Sequence, residues 1–420
     1  MFRTLGERTS VKPQGKSRAA GQHKTVHLGI DVPLMLLVIT LLIFGLIMVY
    51  SASYDYSLSW YGDSSRIFVR QLLWLGLGLG VAVFLVFFDY HHFRQLAIFM
   101  MGATVLMLLG VLIISEIRNG AVRTLSGGSV QPSELAKLVI VLYLAVWLYS
   151  KREQLNDIYF GIIPLAGILG ILGGFIYLQP DLSAVLTICI LGGTMFFLAG
   201  VDLKQIAILA IVAVVAGWIV VQINSTGSER VAVYLAGLKD PTQASYHVRR
   251  ALEALVKGSW FGVGIGRADT KLTGLPVPPT DSIFAVVGEE TGFFGAVALV
   301  GLYVMLMWRG LKIARQAPDG LGSLMAAGLT LWVTAEAFIN MAVMVNLLPF
   351  AGNALPFISA GGSNLVVSLA AMGILLNISR LSAKQTEENG RSFSAVIDLR
   401  WRDRGRRVSR SRRTASTERR

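Results

Sequence analysis

This sequence has little charge, one cysteine and no catalytic signature of the soluble enzyme classes. Only 15% of its 420 residues are Asp, Glu, Lys or Arg, 54% are hydrophobic, and the mean hydropathy is +0.61. Soluble domains carry about 25% charged residues, and a water-soluble chain could not bury this much apolar surface. A soluble enzyme and a disordered chain are thereby excluded. The lone Cys189 lies in an apolar run, so it can form no intramolecular disulfide, and a metal cluster is not expected. The paired His91-His92 has no ligand spacing around it, and no Ser/His/Asp order or H-E-x-x-H helix occurs. Gly258, Gly262, Gly264 and Gly266 lack the Gly-Lys-Ser/Thr ending of a phosphate loop.

What the chain does have is long apolar runs. Ten read as membrane-spanning helices: about 33–50, 67–88, 96–114, 134–150, 160–178, 184–199, 206–222, 283–307, 323–347 and 364–380. The expected fold class is therefore an all-α polytopic membrane protein of about ten transmembrane helices. Its 33–380 membrane domain sits between basic tails at 1–32 and 381–420. An even number of spans puts both tails on one side. With the tails inside, the inner segments hold 26 Lys/Arg, and the short outer ones hold only Arg66, Arg70, Arg118 and Arg123. Basic residues mark cytoplasmic loops, so both termini are expected in the cytoplasm. The net charge of +13 is concentrated in the tails, which argues for anionic membrane lipids and against nucleic acid. The first apolar run follows a long polar tail and is long enough to span, unlike a cleavable signal.

One connection is out of scale. The large extracytoplasmic loop 223–282, between the seventh and eighth spans, is expected to be ordered and functional. Within it, 242–257 reads as an amphipathic helix starting at Asp240-Pro241-Thr242. Val248, Leu252 and Leu255 form its apolar stripe, and Arg249, Glu253 and Lys257 its charge ladder. It is expected either to lie on the membrane surface with its basic groups toward the headgroups or to be a plain surface helix.

Four outer helix starts combine Pro with capping residues: Gln131-Pro132-Ser133-Glu134, Gln179-Pro180-Asp181-Leu182, Pro279-Thr280-Asp281-Ser282, and Pro356 with Ser359-Ala360-Gly361-Gly362-Ser363. Pro suits a first helical turn, and Ser, Asp and Thr cap its N–H groups. Four positive helix ends facing one side would form an anion site if they converge; alternatively they only punctuate helices. Glu134 and Lys137, one turn apart, can pair, either as a structural ion pair or to orient a polar substrate. Arg123 is placed to meet a phosphate or to be a solvated loop residue. Asp281 sits at the water–membrane boundary, where a carboxylate can stay ionised and act as a general base, or serve as an N-cap. Glu289 and Glu290 lie two to three turns deeper. Glu336 and Asn340 read as inter-helix hydrogen-bonding partners.

These motifs resemble those of the SEDS family, which includes FtsW, RodA and SpoVE. Gln131–Leu138 matches a family block without a gap. Gln179–Leu182, Thr280–Glu290 and Leu355–Ser363 resemble three more, the last with Ala360 where an aromatic is usual. The resemblance covers about residues 30–380. In the large loop, Tyr246-His247-Val248-Arg249 and Leu255–Trp260 depart from the family's Tyr-Gln-x-x-Gln/Arg and Gly-Ser-Gly-Gly stretches. The resemblance implies a peptidoglycan glycosyltransferase that polymerises lipid II and releases undecaprenyl diphosphate in the bacterial inner membrane. It maps the essential aspartate onto Asp281 and the paired Glu and Lys onto Glu134 and Lys137. Arg123 and the helix starts at Asp181 and Ser363 then become a pyrophosphate site. No tightly bound cofactor is expected, although a divalent cation (Mg or Mn) could share the pyrophosphate. The implied partners are a class B penicillin-binding protein, docking beside the eighth and ninth spans at Gly292, Gly295, Ala326 and Ala327, and other divisome proteins. The long basic tails look more like division members than like compact elongation members. A flippase for the same lipid and a division scaffold remain the alternatives; the outward-lopsided polar cluster favours the enzyme.

Overall fold

The computed structural model describes residues 29–114, 131–179, 181–223 and 225–404. The described residues form twelve α-helices and two short 3₁₀ turns, with no strand among them. Four helices come first: α1 (Val32–Tyr61), α2 (Arg66–Phe87), α3 (Phe93–Ile114) and α4 (Pro132–Lys151). Next come α5 (Ile162–Tyr177), α6 (Leu182–Leu198) and α7 (Leu203–Ile223). The large loop contributes α8 (Ser225–Lys239) and α9 (Tyr246–Gly258), and α10 (Ile283–Gln316), α11 (Gly320–Met344) and α12 (Gly362–Arg404) follow.

All ten apolar runs are helical, which makes the chain a multi-pass membrane protein. Seven helices are long and apolar enough to cross a bilayer: α1 to α4 and α10 to α12. α5, α6 and the apolar part of α7 are shorter. At 1.5 Å per residue, the 16 residues of α5 reach roughly 24 Å, short of a hydrocarbon core of about 30 Å. α4, α11 and α12 are mostly buried inside the protein, whereas α2, α3 and α10 turn most of their apolar surface outward. α12 packs along α2, and α11 contacts α4, α6, α10 and α12. The polar groups of α4, α11 and α12 therefore meet one another rather than lipid.

Four details differ from the sequence reading. α1 runs to Tyr61 rather than stopping near 50, because Ser51, Ser53 and Ser57 continue its buried face. A helix unmarked by hydropathy, α8, fills the start of the large loop. α9 starts at Ser245, whose hydroxyl accepts from the Val248 N–H (3.4 Å), while Asp240-Pro241-Thr242 forms a separate 3₁₀ turn. Finally, α9 is anchored to the helical bundle. It packs on α10 and α11 through Val248, Ala251, Ala254 and Gly258, and the larger Leu252 and Leu255 are only half-buried. Small residues line the buried face because α9 approaches α10 closely: a Cβ on Gly258 would stand 2.0 Å from the Gly288 carbonyl oxygen. In the charge ladder Glu253 pairs with Arg250 and with Lys257 (3.3 Å), while Arg249 lies over the Tyr246 ring.

Candidate active site

The Pro-capped helix starts converge, and side chains join them. The Gln131 N–H donates to Ser363 Oγ (3.0 Å), tying the start of α4 to that of α12. The Gln131 amide donates to Ser133 Oγ (3.0 Å) and Asp181 Oδ2 (3.2 Å), and the Ser133 hydroxyl reaches the same oxygen at 3.4 Å. Asp181 Oδ1 accepts from the Ala184 N–H (3.3 Å) and the Ser183 hydroxyl (2.8 Å), which makes Asp181 the N-cap of α6. The fourth start is tied in through the 355–360 segment. The Ala360 N–H donates to the Pro279 carbonyl (2.7 Å), and Ser359 Oγ donates to the Thr280 carbonyl (2.8 Å) while accepting from the Leu355 N–H (2.7 Å). The starts converge, and Asp181 itself takes first-turn donors of α6. The start of α10 has no such cap: Ser282 makes no capping bond and its hydroxyl is a buried group without a partner.

Beneath these starts is a buried charge cluster. The Lys137 ammonium donates to Glu134 Oε1 (2.9 Å) and to Glu336 Oε1 on α11. Glu134 Oε2 accepts from the Asn364 amide of α12 (2.9 Å). Lys137 and Glu336 side chains are 5% and 1% exposed. One lysine between two carboxylates thus clamps α4, α11 and α12 together. Of the two readings of the Glu134–Lys137 pair, the structure shows the ion pair and extends it to Glu336.

Asp281 stands one turn of α11 away from this clamp. Asn340, four residues after Glu336, donates to the Asp281 carbonyl (2.9 Å) and to the Asn353 carbonyl. The Asp281 residue is half-buried in the turn before α10, so it is not the N-cap, which is Ser282. Its carboxylate lies over Gly352, where a Cβ would come within 3.0 Å of Oδ2. The groups above therefore fix its backbone on both sides of the turn, through Asn340 and through Ser359.

The large loop is latched onto a broken helix. α10 is interrupted at Gly292 (φ 71°, ψ −171°), a conformation open essentially to glycine. The segment after α9 fills the break. Val263 and Gly264 N–H groups donate to the Glu289 and Glu290 carbonyls (3.0 Å each), and the Phe293 N–H donates to the Ser259 carbonyl (2.9 Å). Cβ atoms on Gly262 or Gly292 would lie 2.2–2.3 Å from the facing backbone. Both glutamates hold the loop. Glu289 accepts from the Asp269 N–H (3.0 Å) and from Thr270, and Glu290 pairs with Lys271 (3.0 Å) and accepts from Ser51 of α1 (2.5 Å).

Arg123 lies outside the described residues. Of the expected docking residues, Gly292 is buried against Gly262 and Phe261, and Ala326 and Ala327 are buried in the core, so these three offer a partner no surface, whereas Gly295 is half-buried. The exposed surface beside α10 is aromatic: Trp260, Phe261, Phe293 and Phe294 meet in edge-on and tilted ring contacts. A groove of about 460 Å³ lined by Phe284, Phe293, Val297 and Val300 adjoins them. The sequence reading missed Asn364 and Ser359 as connecting groups, although both lie in or beside the fourth motif block. Among the described residues, no group of three or more His, Cys, Asp and Glu side chains is placed to hold a metal. A magnesium-type cation needs only one or two carboxylates when substrate phosphates supply the rest, and Asp281 offers one.

Comparison with known proteins points the same way. The model of the FtsW/RodA/SpoVE family, described as "Cell cycle protein", matches residues 32–384. A probable peptidoglycan glycosyltransferase FtsW of Geobacter sp. (strain M18) is 35% identical over 358 residues, covering 84% of this chain and 97% of that protein. Stage V sporulation protein E of Bacillus subtilis (strain 168) is 35% identical over 360 residues, with the same coverage. A solved structure described as "Structural coordination of polymerization and crosslinking by a peptidoglycan synthase complex" superposes with a TM-score of 0.68 at 27% identity, over 84% of this chain and 98% of that one. The rod shape determining protein RodA of Thermus thermophilus gives 0.61 at 27% identity, over 84% and 97%. With four joined motif blocks and a family match across all of its membrane helices, the chain belongs to the FtsW/RodA/SpoVE family of cell cycle proteins.

Proposed function

We propose that this protein is a peptidoglycan glycosyltransferase that polymerises lipid II, with Asp281 as its general base. An acceptor sugar hydroxyl attacks the anomeric carbon of a lipid-linked donor. The new C–O bond forms as the bond to pyrophosphate breaks, and undecaprenyl diphosphate leaves. The hydroxyl is a poor nucleophile until its proton is accepted, and a positioned base contributes roughly 10²–10⁴-fold. The observation carrying this reading is the position of Asp281: half-buried, backed by Gly352, and held through Asn340 one turn from the Lys137 clamp. Glu134, Lys137, Asp181 and Ser363 act by fixing the helix starts around it. Arg123 and the uncapped start of α10 are the proposed donors to pyrophosphate. When bound, a divalent cation would neutralise charge on that pyrophosphate.

The role is cell division in the inner membrane, with both termini cytoplasmic; the long basic tails support this over elongation. The partner is a class B penicillin-binding protein that cross-links the new strands, docking on the aromatic surface of α10. Purified protein supplied with lipid II should yield glycan polymer. The Asp281→Asn variant should keep its expression and membrane insertion and lose polymerisation by at least 10²-fold. Near-normal polymer from that variant would sink the assignment, and lipid movement without polymer from the parent would favour the flippase.

A further inference from the structure

The end of the molecule opposite the site carries a basic pocket that the reaction does not use. A cavity of about 390 Å³ is lined by Arg94, Tyr149, Lys151, Arg152 and Glu153 among others. Three cations share it with one carboxylate. Among the described residues, none of the three forms an ion pair; Arg152 lies over the Tyr149 ring at 5.3 Å. Three like charges gathered around a single carboxylate raise the energy of the fold. Arg94 adds to this, because it stands in the first turn of α3, where the helix end is itself positive. The nearest acid along the chain, Asp89, is held by the His91 ring at 2.6 Å. An anion in the pocket would relieve all of these at once.

The surroundings identify which anion. Lys151 is the last residue of α4 and Arg94 the second of α3, so the pocket lies where two apolar helices end. Ile98 and Phe99, one turn further along α3, are exposed apolar residues, and Tyr159 and Phe160 are exposed on the segment after α4. Aromatic side chains at that depth mark a membrane interface. Tyr149 is a rigid floor: a Cβ on Gly320 would come within 2.9 Å of its ring. We propose that this pocket binds the phosphate headgroup of an anionic phospholipid, whose chains run down the outside of α3. Basic pockets between helix ends are known headgroup sites.

The test uses the full-length purified protein, titrated with phosphatidylglycerol in detergent and read by native mass spectrometry and thermal shift. The parent should retain phosphatidylglycerol over phosphatidylcholine. Each cation removed should weaken retention roughly fivefold, so Arg94→Gln/Lys151→Gln/Arg152→Gln should lose about 100-fold. Glu153→Gln should tighten it. The basic tails are common to all variants and cancel in the comparison. Should the triple variant fail to fold, Arg152→Gln and Glu153→Gln, moving binding in opposite directions, carry the test. Equal phosphatidylglycerol retention by parent and variants would overturn the site. An equal thermal shift from inorganic phosphate at the same concentration would overturn the lipid as its ligand.

Discussion

Lys137 is the strongest test of how the site is held. Its ammonium bridges Glu134 and Glu336, and Glu134 is also bonded to Asn364. Lys137→Met keeps most of the stem and removes the charge. Two carboxylates then face each other in a buried setting, with the Asn364 amide still bonded to Glu134. Removing one partner of a buried ion pair costs about 3–5 kcal/mol, mostly from the charge left behind. The length-matched exchange itself costs under about 1.5 kcal/mol. The expected loss is therefore about 3–5 kcal/mol. The double variant Lys137→Met/Glu336→Gln removes the stranded carboxylate on α11 as well. It leaves Glu134 with its Asn364 bond and should recover more than half of the loss. Equilibrium unfolding by SDS in mixed micelles measures both values. A single variant within 1 kcal/mol of the parent, or a double no more stable than the single, would refute the clamp.

The other expectations can be stated together. Gly352→Ala puts a methyl 3.0 Å from Asp281 Oδ2; kcat on lipid II should fall at least tenfold while thermal stability changes little. Gly292→Ala places a side chain in a glycine-only backbone conformation against Gly262, and should cost about 1–3 kcal/mol from strain alone, seen as faster hydrogen exchange across 259–264. Burial, then the nearby Arg230, holds the His247 imidazole below its ordinary value of 6.5, and the ring stacks on Phe350 at 4.3 Å. A base whose folded value is depressed stabilises above its unfolded value and loses that as pH falls through it. The α8–α9 region should therefore exchange faster below about pH 6.5, and His247→Phe should remove that dependence. Phe293→Ala/Phe294→Ala should weaken co-purification of the transpeptidase; unchanged capture would move the docking face elsewhere.

Hydropathy alone located all ten apolar helices, because burying or facing lipid requires apolar residues in either case. It could not mark α8, whose charges and glycines carry no strong period, nor the break in α10, since a single Gly inside Phe-rich sequence looks like any membrane-helix glycine. At the site, Pro and capping residues foretold the convergence of helix starts, and the i, i+3 spacing foretold the Glu134–Lys137 pair. The third member, Glu336, sits 199 residues away, and such a partner has no local signal. Gly292, Ala326 and Ala327 are buried for a related reason. Small residues permit close approach, but sequence does not say to what: here Gly292 admits the protein's own loop.

That loop also explains how the turn before α10 is held in place. The backbone of Asp281 is held by its neighbours. Asn340 and Ser359 hold the turn from α11 and from the 355–360 segment. On the far side, the turn is continuous with the large loop, which would otherwise be free to swing. Latching residues 259–271 onto the break at Gly292, with Glu289 and Glu290 receiving Thr270 and Lys271, fixes the chain about ten residues before Asp281. The unpaired backbone groups created by the break are the ones that the loop satisfies. The helix break and the loop latch are thus one device. It fixes the turn that carries Asp281.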